Sequence, residues 1–266
     1  MERVSTSADV AVIGGSGFYS FLDGPEQVRV ETPYGAPSAD ISLGEVAGRS
    51  VAFLPRHGPR HELPPHRINY RANLWALRSL GVRQVIAPCA VGGLRDEVAP
   101  GDIVVPDQLV DRTWGRTQSY VETGAVHLPF ADPYCAPLSA SLAGADPSVS
   151  LGGTMVVVEG PRFSTRAESR HYADQGWTLI NMTGHPEAVL ARELRMCYSA
   201  VALVTDMDAG VEAGGGVDQA EVFAMFGHNI DRLKAVLTTA MSDLPDPEGC
   251  SCSTWADGLD LTYDVP

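Results

Sequence analysis

The run Tyr198–Val204 (YSAVALV) is apolar at all but one position, and two carboxylates, Asp206 and Asp208, stand at its end. So short an apolar run reads as a strand buried inside a sheet, and an acid pair at its exit points off the sheet's edge. Strands and helical patterns alternate before it: strand 154–158, helix 166–174, strand 178–181, helix 187–194, then the strand at 198–205. That alternation predicts an α/β fold, with a mixed, largely parallel central β-sheet flanked by helices on both sides. In such sheets ligands lie beyond the carboxyl ends of the strands.

The first third is strand-rich, with strands expected at 9–13, 28–31, 41–43 and 51–54 between Gly, Pro and Asp turns. A helix is expected over 68–80, where Trp75, Leu77 and Leu80 recur and Gly81 stops it. Strands at 84–87 and 103–105 precede a long polar excursion, 111–134, and the last helix is expected over 217–241. No repeat or linker divides the 266 residues, so one domain with a C-terminal tail, 242–266, is expected.

Thirty-three acidic against 19 basic residues give a net charge of −14. Such a surface excludes nucleic acid and anionic membranes as partners, and any phosphate must be met by a local site. No segment is long enough to span a bilayer, and the first fifteen residues lack a basic region followed by an apolar stretch and cleavage site, so a cytoplasmic setting is expected. Five cysteines, an odd number mostly within apolar segments, argue against a secreted disulfide framework. Cys250 and Cys252 form a Cys-x-Cys, but a zinc site needs two further ligands and none lie nearby in sequence. No metal is therefore expected.

Four further segments present polar groups where strands end. Gly14-Gly15-Ser16-Gly17 follows the first strand and reads either as a tight turn or as an anion cradle. It fits neither the dinucleotide fingerprint nor the Walker pattern. Pro55-Arg56-His57-Gly58-Pro59-Arg60-His61 places two Arg and two His after a strand, as an exposed basic loop or a focused anion site. In 159–168 (EGPRFSTRAE), Thr165 and Glu168 suit a capping box, and Phe163 offers an aromatic face. Asn181-Met182-Thr183 adds a soft apolar side chain and a hydroxyl. No catalytic triad, Cys-His pair or metal cluster is convincing, which leaves positioning and electrostatics as the chemistry.

Together VIGGSGF, PRHGPRH…NYRANLWAL, GGLRDEVAPGDIVVPDQLVDRT, TMVVVEGPRFSTRAES and VTDMD resemble the trimeric-type purine nucleoside phosphorylases, most closely the branch acting on 5′-methylthioadenosine. The resemblance, over about residues 10–237, implies cleavage of an N-glycosidic bond by inorganic phosphate, with no cofactor and with a homotrimeric assembly. It implies that Ser16, Arg56, His57, the Ala90 backbone and Thr183 hold phosphate, and that Met182 lies under the ribose. Phe163, Ser164, Asp206 and Asp208 would surround the base, with the two acids catalytic. Gln219, Val222 and Phe223 would line the 5′ pocket, and His127 would enter the neighbouring protomer's 5′ pocket. The family's 6-oxopurine members carry Asn in place of Asp206 and Glu in place of Ser164, so the 6-amino choice is expected here. Cys89, in place of a phosphate-touching Thr, and Gln219, in place of an apolar residue, depart from the pattern.

Overall fold

A computed structural model describes residues 7–209 and 216–266. Residues 1–6, part of the stretch read above for a leader, lie outside the described residues. The chain runs β1 (Val10–Gly14), β2 (Glu26–Val28), β3 (Ile41–Val46), β4 (Arg49–Pro55), α1 (Tyr70–Ser79), β5 (Gln84–Gly93), β6 (Ile103–Val105), β7 (Gln108–Arg112) and α2 (Ala136–Gly144). It continues with β8 (Val149–Leu151), β9 (Thr154–Val158), α3 (Arg166–Asp174), β10 (Leu179–Asn181), α4 (Gly184–Glu193), β11 (Cys197–Met207) and α5 (Gln219–Met241).

The apolar run at 198–204 is covered on both faces, as its composition requires. Tyr198, Ala200, Ala202 and Val204 enter one core with Leu74 and Leu77 of α1 and Leu190 of α4. Cys197, Val201 and Leu203 enter a second core with Leu138 of α2 and Leu233, Val236 and Leu237 of α5. Burial of each such Leu or Val stabilises the fold by roughly 1.5–3 kcal/mol, so the two helix layers fix β11 rigidly between them.

The eleven strands among the described residues join one mixed sheet, ordered β2-β3-β4-β1-β5-β10-β9-β7, with β11 also on β5 and carrying β6 and β8. Strands β4, β1, β5 and β11 are mutually parallel neighbours, with Val10 beside Val51 and Gln84, and Gln84 beside Cys197. Their carboxyl ends therefore gather on one side. β10 runs antiparallel to the end of β5, pairing Ile180 with Gly92, so its exit folds back over those ends.

Several boundaries differ from the sequence reading. β11 extends through Met207, so Asp206 lies within the strand rather than beyond it. A bulge interrupts its register between Val204 and Asp206. The extra residue places Asp206 across from Gly92, where an unbroken ladder would put Thr205. The first edge strand is 26–28 rather than 28–31, and β7, α2 and β8 were not anticipated. Among the described residues no helix is long and apolar enough to cross a membrane.

Candidate active site

A cavity of about 330 Å³ opens where these strand ends meet. It is lined by Ser16, Arg56, His57, Ala90, Phe163, Ser164, Met182, Thr183, Asp206, Asp208, Gln219, Val222 and Phe223. Of the anticipated residues only His127 stands elsewhere, exposed and outside the cavity of its own chain.

At one end stand Ser16, Arg56 and His57. Gly15 allows the close approach there: a Cβ on it would lie 2.9 Å from the Pro88 carbonyl and 3.0 Å from Arg56 Nη1. Arg56 is 1% exposed and donates from Nε and Nη2 to the two oxygens of Glu187, each at 2.7 Å. Burial works against its charge, but the Glu187 carboxylate outweighs it and holds the guanidinium protonated. Tyr198 adds a hydrogen bond to Glu187 Oε2 at 2.8 Å. The basic loop expected from two Arg and two His is thus electrically balanced inside the protein, because an unpaired buried guanidinium is costly. Arg60 faces solvent, its side chain 86% exposed.

His57, by contrast, is uncharged near neutral pH. Burial first, and then Arg56, push its pKa down to about 3. Its Nδ1 lies 2.8 Å from the Leu63 carbonyl, which can only accept, so Nδ1 carries the proton and Nε2 is left an acceptor. The Asn181 side chain clamps the next loop: Oδ1 accepts from the backbone N–H groups of Thr183 and Gly184 at 2.7 Å, and Nδ2 donates to the Ala90 carbonyl at 3.2 Å. The Thr183 hydroxyl is thereby presented beside Ala90. Cys89, 4% exposed, has its thiol pushed up to about 12 by burial, so it is no nucleophile.

The depressed His57 pKa has a stability consequence. A histidine whose folded pKa lies below its unfolded value of 6.5 stabilises the fold above that pH, and this contribution is lost as pH falls toward about 3. Asp206, whose pKa is raised to about 6, acts oppositely: its contribution is present below about 4 and lost as pH rises through 6. Thermal melts of His57→Gln between pH 7 and pH 4.5 are expected to fall less steeply than those of the parent.

The other end holds the acids. Along β5, Cys89 at the Arg56 end and Gly92 at the acid end are roughly 10 Å apart. A Cβ on Gly92 would lie 3.2 Å from Asp206 Oδ1, so glycine there leaves the carboxyl its room. Asp206 Oδ2 accepts from the Thr205 hydroxyl at 2.8 Å. Burial raises its pKa, the Thr205 hydroxyl opposes this, and the Asp208 charge adds to it. Asp208 is 3% exposed and its pKa is also raised by burial, against the nearby Ser164 and Ser169 hydroxyls. Its Oδ2 has no hydrogen-bond partner among the described residues. A buried acceptor without a donor is unfavourable unless a ligand supplies one.

The walls between the two ends are shaped by backbone devices. The capping box between Thr165 and Glu168 starts α3 and sets Phe163 and Ser164 just before it. Gly160 has φ +65°, and a Cβ there would meet Met182 Sδ at 2.6 Å, so only glycine lets Met182 floor the cavity. Gln219, Val222 and Phe223 come from the first turns of α5, capped by Asp218, with Phe223 edge-on to His61 at 5.5 Å.

Three supporting residues escaped the sequence reading. Glu187 sits 131 positions from Arg56; its signal was an acid directly before the apolar run Ala188-Val189-Leu190-Ala191. Asn181 stood in a quoted motif without a role. Arg116, inside the polar excursion, donates to the Met182 carbonyl at 2.9 Å, the His185 carbonyl at 2.6 Å and Glu159 Oε2 at 3.0 Å. It fastens that excursion beneath the site.

The cavity thus gathers hydroxyls, a buried ion pair and a neutral imidazole at one end and two carboxyls at the other, with apolar and aromatic side chains between them. A sequence profile of the phosphorylase superfamily matches residues 9–242, and the chain belongs to that family. It is 57% identical to S-methyl-5′-thioadenosine phosphorylase of Mycolicibacterium smegmatis over 97% of this chain and 99% of that one. It is 56% identical to a purine nucleoside phosphorylase of Streptomyces coelicolor over 97% and 98% of the two chains. The solved methylthioadenosine phosphorylase from Schistosoma mansoni in complex with adenine superposes with a TM-score of 0.84, at 34% identity, covering 89% of this chain and 91% of that one.

Proposed function

We propose that this enzyme cleaves 5′-methylthioadenosine, or a closely related 5′-substituted 5′-deoxyadenosine, with inorganic phosphate, giving adenine and the 5-substituted ribose 1-phosphate. The observation that carries the reading is the acid pair: one half-buried carboxyl with its pKa raised to about 6, beside a buried one whose oxygen awaits a donor. Adenine presents an exocyclic amino donor and an N7 that takes up a proton as the base departs. Asp208 accepts from the amino group, and Asp206 shares its proton with N7. A 6-oxopurine would turn an acceptor toward Asp208.

The C1′–N9 bond breaks, its electron pair entering the purine, and an oxygen of the phosphate held by Ser16, Arg56, His57, Ala90 and Thr183 then forms its bond to C1′. Phosphate stabilises the ribosyl cation between the two events, and Met182 supports the sugar. The exposed position of His127 suits its lending to a neighbour's 5′ pocket in a homotrimer. Five unpaired thiols suit a cytoplasmic setting.

Free base is measured by chromatography after incubation with phosphate and a panel of nucleosides. Adenine release from methylthioadenosine is expected to be fastest and to require phosphate. Inosine or methylthioinosine outpacing it would overturn the base assignment, and release without phosphate would overturn the reaction.

A further inference from the structure

The two cysteines of the tail find partners far away in sequence. Cys250 and Cys252 pack against Cys135, which precedes α2, and Cys197, the first residue of β11, and all four sulfurs lie within 4.8 Å of one another. Cys250 Sγ is 3.3 Å from that of Cys197 and 3.8 Å from that of Cys135. Four thiolates around a tetrahedral ion at about 2.3 Å stand about 3.8 Å apart, whereas a disulfide brings two sulfurs to about 2.05 Å. None of the four is in a disulfide, and Cys135, Cys197 and Cys252 are buried. The two ligands absent from the neighbourhood of the Cys-x-Cys are therefore supplied by the sheet and by the start of a helix.

We propose that Cys135, Cys197, Cys250 and Cys252 form a closed four-thiolate site for zinc that staples the C-terminal tail to the fold. Each thiol gives up its proton to solvent on binding, leaving a centre of net charge −2. Arg192 is close enough to act on Cys252 electrostatically and offsets part of that charge. The surrounding tail is already docked, with Trp255 Nε1 donating to the Arg192 carbonyl at 2.7 Å and Arg195 paired with Asp257 at 3.3 Å. The cluster lies at the amino end of β11, whereas Asp206 lies near its carboxyl end, roughly 30 Å away along the strand. With all four positions taken by protein and the cavity so distant, the ion is structural and takes no part in the reaction.

Metal analysis of the full chain, grown in zinc-supplemented medium and purified with a thiol reductant and without chelator, is expected to give one zinc per chain. Exchange for cobalt(II) is expected to give the charge-transfer and visible bands of a tetrahedral thiolate centre. The double variant Cys250→Ser/Cys252→Ser is expected to lose the metal and melt about 5–10 °C lower, with phosphorolysis at low temperature within about twofold of the parent. Fully reduced parent protein that takes up neither zinc nor cobalt stoichiometrically would overturn the proposal, whatever the variant does. So would peptide mapping, after alkylation in the lysate, that finds these cysteines joined as disulfides.

Discussion

Asp206→Asn is expected to lower kcat/KM for methylthioadenosine by about 10²–10³-fold, the usual contribution of a positioned general acid. The carboxyl titrates near 6 because burial raises it, so at pH 7 roughly one molecule in ten carries the proton for N7. An acid of this kind loses effect as pH rises through 6, and the parent's kcat/KM should decline there while the Asn variant stays flat. The neutral amide removes one negative charge beside the oxygen of a 6-oxopurine, so the ratio of inosine to methylthioadenosine turnover should rise in the variant. Nearly unchanged methylthioadenosine activity would show that Asp206 is not the N7 partner. The bulge gives this prediction its geometry, since it sets Asp206 beside Gly92 and leaves Thr205 as its hydroxyl partner.

Glu187→Ala is expected to have the largest effect on stability. Glu187 is fully buried and takes both strong donors of Arg56, itself 1% exposed, together with the Tyr198 hydroxyl. Removing one partner of a buried ion pair strands the other charge and costs about 3–5 kcal/mol. In a chain of this size that corresponds to a melting point about 6–20 °C lower. Calorimetry with and without phosphate checks it: phosphate should recover part of the loss by giving the stranded guanidinium an anion. A loss below about 1 kcal/mol would mean that Arg56 turns to solvent when its partner goes.

Much of the architecture was legible from local pattern. Strands bounded by Gly, Pro and Asp turns were recognisable, as was the capped start of α3, because periodicity and turn chemistry act over a few residues. Helix Ala136–Gly144 was not. Its sequence APLSASLAG has a leading proline and no charged face: its exposed positions are Ala136, Pro137, Ala140 and Gly144, too small and uncharged to mark a polar side, while Leu138 and Leu142 pack inward. β8 is three residues long and carries no period. Gln108–Arg112 mixes polar and apolar residues because β7 lies at the end of the sheet path, paired only to β9.

The acid pair, the glycine turns and the PRHGPRH loop marked the strand exits at which a ligand is met, and they did so because side-chain chemistry at a strand end is a local property. What those groups are worth was decided by tertiary structure. Arg56 is charge-balanced and His57 neutral because residues more than a hundred positions apart share a dry interior. Asp206 is a poised acid because the bulge sets it beside Gly92 in the cavity wall, where partial burial raises its pKa. The four cysteines converge for the same reason: sequence distances of 53 and 115 residues close to contact only when the tail packs against the ends of β11 and α2. Residue identity determined which chemistry was on hand, whereas burial and long-range pairing, which no local window contains, determined its charge state and its partners.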